Sequence, residues 1–168
     1  MPEFAPFEEG MPLPATVCLS SFLVSEDAEG LLVGRMKSAK EWSLLDGVES
    51  IEKIIETGRW VLPASHLQIG ETPSAAATRI AKEQLEASSF DLRASAVFSH
   101  SRPVPSLSRT LHWDLCFVFE GDIDLPRTPA WFAELKRLPL RFIHHDLFAR
   151  DHGDIVADMG FLTPAVRG

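Results

Sequence analysis

The segment running from Thr72 to Glu86 constrains the fold more than any other part of the chain. Thr72 is a good helix N-cap, Pro73 suits the first helical position, and residues 74–86 are alanine-rich with no breaker, so a helix is expected there. Strand-forming runs surround it. Residues 16–24 and 31–35 flank the polar turn 26–30 and are expected to pair as a hairpin. Residues 59–62 read as a short strand, 94–100 and 111–120 as longer ones, and 132–140 as an edge strand. Apolar spacing of three and four over 48–56, stopped by Gly58, predicts a short amphipathic helix, and a final helix is expected over about 143–159, closed by Gly160. This order predicts an α/β sandwich with a mixed β-sheet between helices. Residues 1–14 carry Pro2, Pro6, Pro12 and Pro14 and are expected to form an extended arm, with 15–162 a single domain and 163–168 a tail.

Charge limits what such a domain can bind. Twenty-four acidic against sixteen basic residues leave a formal charge of -8, which disfavours general nucleic-acid binding. A small phosphorylated ligand remains accessible if a divalent cation sits between carboxylates and phosphates. No apolar run is long enough to cross a bilayer and no export signal is present, so a cytoplasmic location is expected. Cys18 and Cys116 each lie within an apolar run and are expected to be reduced core thiols, with a metal pair or a redox couple as the alternative.

Leu62-Pro63, then Gly70-Glu71-Thr72-Pro73, then Arg79 at the required spacing after Glu71 resemble the signature of the Nudix hydrolases. That family's box reads G-x5-E-x7-R-E-U-x-E-E-x-G-U, with U a bulky aliphatic residue. The resemblance implies a Nudix-like α/β/α sandwich, a nucleoside diphosphate-linked substrate, Mg²⁺ or Mn²⁺ as cofactor, and an ion pair between Glu71 and Arg79 that shapes the box loop around Gly70. It also suggests a homodimer, as does the apolar arm; Phe4 and Phe7 equally suit an arm folded back on its own subunit.

The departures from the box carry the functional argument. Ser65 replaces its first Gly, Ile80 the Glu after the Arg, Gln84 the last of the adjacent glutamates, and Glu86 the closing Gly. On a regular helix, positions 80, 83 and 84 share a face. In the family that face holds the metal that bridges phosphate oxygens and helps deprotonate water. Only Glu83 survives of the three carboxylates. Glu120, with Asp114, Asp122 and Asp124 nearby, would supply replacement metal or catalytic oxygens if the fold brought them to Glu83.

Three readings follow. The first is a Nudix-fold protein that binds a phosphorylated small molecule with pyrophosphohydrolysis weakened or lost. The second is an active hydrolase using Glu83 with Glu120 or a neighbouring Asp. The third is a regulatory module whose cleft takes a protein or RNA partner. His66, in the box loop, and Arg102 and Arg109, flanking a proline loop, are candidate phosphate contacts. Of the four tryptophans, Trp60 and Trp113 read as core, and Trp42 and Trp131 as the pair less evidently buried. The cluster His144, His145, Asp146, Asp151, His152 and Asp154 reads as a solvated helix face, with a transition-metal site as its functional alternative.

Overall fold

The computed structural model describes residues 13–37, 42, 48–103, 110–149 and 152–162. Strand β1 (Leu13–Val24) lies at the centre of the molecule, between β4 (Ala64–His66), which it pairs antiparallel, and β6 (Thr110–Asp124), which it pairs parallel. β5 (Ser89–Pro103) completes a four-stranded sheet in the order β4-β1-β6-β5. A second sheet holds β2 (Glu26–Asp27), β3 (Gly30–Met36) and β7 (Phe132–Leu138), in that order.

The hairpin expected between 16–24 and 31–35 does not form. Its two halves belong to different sheets: the chain turns at Ser25, whose carbonyl accepts from Leu32 N–H at 2.8 Å, and β3 takes β7 as its long partner. Residues 59–62 make only isolated bridges, Gly34 to Val61 and Trp60 to Phe148, while the adjacent 64–66 form the strand instead. Arm residues Leu13 and Pro14 belong to β1; Phe4, Phe7 and the tail 163–168 lie outside the described residues.

Alternating residues of the central strands feed two cores. Leu23, Leu32 and Phe119 pack into one with helix α1 (Val48–Thr57) and helix α2 (Pro73–Arg79). Phe22, Val33 and Val118 pack into the other with Phe148 and helix α3 (His152–Asp158). This places a mixed four-stranded sheet and an antiparallel three-stranded one between helices, through the period-two geometry of strands. The long final helix expected over 143–159 is broken into two 3₁₀ turns, Leu140–Phe142 and His145–Leu147, before the short α3.

Candidate functional site

The loop entering α2 is organised by one ion pair. Gly70 adopts a φ of +81°, which a side chain would strain. The Glu71 carboxylate accepts from Arg79 Nε at 2.8 Å, from a second guanidinium nitrogen at 2.9 Å and from Gln68 N–H at 2.9 Å. Arg79 also donates to Ser65 Oγ at 3.1 Å and to the His66 carbonyl at 3.0 Å. These contacts tie loop, β4 and helix together. The Arg79 hydrogen bonds hold the Glu71 carboxyl below the usual carboxylate range, and Glu71 in turn raises Arg79.

Beyond Arg79 the helix widens. Residues Ile80–Gln84 form a π turn, closed by Leu85 N–H to the Ile80 carbonyl at 3.1 Å. Adding a residue to the turn destroys the shared face expected for positions 80, 83 and 84. Ile80 is 0% exposed and packs into the core, and Gln84 is 1% exposed and donates from Nε2 to the Ala64 carbonyl at 2.8 Å. Glu83 alone points to solvent. The Gln84 Oε1 is buried without a hydrogen-bond partner among the described residues. Glu86, where the box has its closing Gly, has a φ of +48° and accepts from Arg127 Nε at 3.0 Å and Ala130 N–H at 3.2 Å.

A Mg²⁺ site on this helix does not fit these residues. Mg²⁺ requires near-octahedral oxygen coordination, usually including carboxylates. Ile80 has no donor atom, Gln84 is 1% exposed with its amide nitrogen on the Ala64 carbonyl and offers only a neutral oxygen, and one exposed carboxylate remains. Nor do the acids outside the box converge on Glu83. Asp114, Glu120 and Asp122 occupy alternate positions of β6 and share the face opposite Phe119, whereas α2 packs against Phe119. Glu120 instead lies 3.7 Å from Arg93, and both line a surface hollow with Phe161. Asp124 accepts from Ser88 Oγ at 2.6 Å.

The other candidates scatter. Arg102 pairs opposite His112 in the β5–β6 register; its side chain, and all of Arg109, lie outside the described residues. His144 is exposed, and His145 is bonded to Asp154 at 2.9 Å, which raises its pKa. His152 turns inward and accepts from Leu62 N–H at 3.0 Å; Asp151 is outside the described residues. Trp42 is 2% exposed and stacks edge-on with Trp131 at 5.0 Å, so the pair expected nearer the surface is anchored in the interior. Trp113 is the exposed one, at 37%.

His66 belongs to a different grouping. A cavity of about 170 Å³ lies between the even-numbered face of β1 and β6, α1 and the start of α3. His66 lines it, with Nδ1 2.8 Å from Ser20 Oγ, and burial pushes its imidazole below the ordinary value against an opposing pull from Asp114. Cys18, His112 and Asp114 face the same space; Phe22, Trp42 and Ile51 supply apolar wall. The thiols expected in the core are thus divided: Cys116 is buried, whereas Cys18 is half-buried and open to the cavity. Sequence reading missed His112 and the grouping of Cys18 with it and Asp114. The available signal was His112-Trp113-Asp114 on a strand, which puts two ligating side chains on one face.

The mixed sheet and its antiparallel companion between helices, with the box loop and α2 on one side, define a Nudix-like fold. The chain is similar in structure to a MutT mutator protein from Bacillus halodurans, at 12% identity over 83% of this chain and 80% of that one, with a TM-score of 0.56. It is also similar to a Nudix hydrolase from Nitrosomonas europaea (16% identity, 89% and 74% covered, TM-score 0.53) and to a MutT Nudix hydrolase from Burkholderia pseudomallei (16%, 86% and 98%, 0.52). No family model matches the sequence, and no curated protein does. Among the described residues no helix is long and apolar enough to cross a membrane.

Proposed function

We propose that this chain is a Nudix-fold protein that binds a nucleoside diphosphate-linked or similar phosphorylated small molecule, with box-type pyrophosphohydrolysis weakened or lost. The observation that carries the loss is the interior placement of Ile80 and Gln84, which leaves the box helix with Glu83 as its single solvent-facing acid. Binding is supported by the cavity, whose aromatic and aliphatic wall suits a flat ring and whose polar edge, Ser20 and His66, suits an oxygen-rich group. The ring would sit inside and the phosphates at the mouth.

The test is product release from dinucleotides and nucleotide sugars with Mg²⁺ or Mn²⁺. Turnover far below the ordinary enzymatic range of roughly 1 per second is expected; turnover within that range overturns the reading. Thermal shifts with the same compounds, without metal, should show stabilisation by at least one of them. A flat response across the set would favour a macromolecular partner instead.

A further inference from the structure

Three side chains of different chemistry converge in the cavity, on the face of β1 and β6 opposite the one that packs against α2. β1 and β6 run parallel and in register, so Cys18 sits across from Asp114, and the two-residue strand period places His112 on the same face one step along. The thiol sulfur, an imidazole nitrogen and a carboxylate oxygen lie within 4.8 Å of one another. His112 Nε2 and Asp114 Oδ1 are 2.9 Å apart, and Asp114 is only 7% exposed. A nearly buried carboxylate is compensated in proteins by pairing, as with His112 here, or by a metal.

We propose that Cys18, His112 and Asp114 bind one divalent ion of the zinc class, with a fourth coordination position open to the cavity. The donor set excludes the hard-cation alternative: Mg²⁺ and Ca²⁺ select oxygen cages, whereas one sulfur, one nitrogen and one oxygen form a tetrahedral zinc-type set. Thiolate and carboxylate together carry the charge that a divalent ion neutralises. As the ion enters, the Cys18 thiol gives its proton to solvent, and His112 coordinates through the lone pair of a neutral ring nitrogen. Three protein ligands with an open position is the arrangement of sites that take a water or ligand oxygen, in contrast to closed structural sites. His66 lies on the same cavity wall, its ring oriented by Ser20 Oγ. The three ligands lie outside the box and apart from Glu83, so the site stands whether or not the chain binds a nucleotide derivative.

The test uses the full chain, stripped with a chelator and titrated with Co²⁺ as a spectroscopic stand-in for zinc. Saturation at one equivalent is expected, with the visible bands of tetrahedral cobalt, a near-ultraviolet thiolate-to-metal band, and stoichiometric displacement by Zn²⁺. C18S should abolish the thiolate band, H112A and D114N should each weaken binding by at least about tenfold, and C116S should retain the band. No spectral change with excess Co²⁺ overturns the proposal, as does a thiolate band that survives C18S or is lost in C116S alone. Circular dichroism checks each variant; should the variants not fold, the wild-type cobalt spectrum decides by the presence or absence of the single-thiolate tetrahedral signature.

Discussion

At the residue scale, the chemistry of a position explains the box better than its resemblance does. Gln84 is held because its site needs a donor for the Ala64 carbonyl, and a glutamate there would set acceptor against acceptor in the interior. Restoring the family acid by Gln84→Glu is therefore expected to lower stability by roughly 2–4 kcal/mol at neutral pH without conferring hydrolysis. Urea midpoints and the nucleotide assay, run together, check both halves; a stable, active variant would contradict the packing argument. Glu71 behaves in the opposite sense. Its pKa is lower in the folded state because Arg79 hydrogen-bonds the carboxylate, so its stabilisation is present above the unfolded value of about 4.3 and lost as pH falls through the folded one. Glu71→Gln should cost roughly 2–4 kcal/mol at pH 7 and flatten the acid limb of the stability curve, as measured by denaturant titration across pH. An unchanged acid limb would remove Glu71 from that role.

At the element scale, two departures from simple periodicity decide which side chains share a face. The π turn at Ile80–Gln84 rotates Glu83 away from positions 80 and 84. It also delivers the chain to Glu86 at positive φ, which costs a non-glycine residue about 1 kcal/mol and is offset by the Arg127 and Ala130 contacts. Glu86→Gly and Glu86→Ala lose the same contacts, but only Gly relieves the backbone. The Gly variant should accordingly melt higher, by about 1 kcal/mol in stability; equal melting temperatures would show that the backbone there is unstrained. The second departure is the bulge in β5 between Ala94 and Ala96. Before it, Phe90 and Leu92 face the α2-side core; after it, Ala96 and Phe98 face the α3-side core. One inserted residue switches the face of every later side chain, and the strand expected over 94–100 lies almost wholly beyond that switch.

For the whole molecule, a formal charge of -8 and the dispersal of its acids over both faces of the sheet bear on partners. Acidic residues are abundant, yet they do not gather at the box helix. The net charge predicts no retention of single-stranded RNA below about 100 μM at physiological salt in a filter-binding assay; tighter binding would indicate a local basic site that overrides it. What the sequence by itself determined was local. Thr72 and Pro73 set where α2 begins, the spacing in 48–56 set α1, and the Glu71–Arg79 pair was legible through the resemblance of the loop to a known signature, with a spacing that permits it. Tertiary structure decided everything that depends on partners distant along the chain. It placed β1 beside β6 and not β3, because pairing is chosen by which faces can be buried together, and nothing within either strand records that choice. It set Glu83 and Glu120 on opposite sides of a sheet, a separation invisible to spacing. And it joined Cys18 to His112 and Asp114 through the register of two parallel strands, a relation between residues nearly a hundred positions apart that only the folded sheet creates.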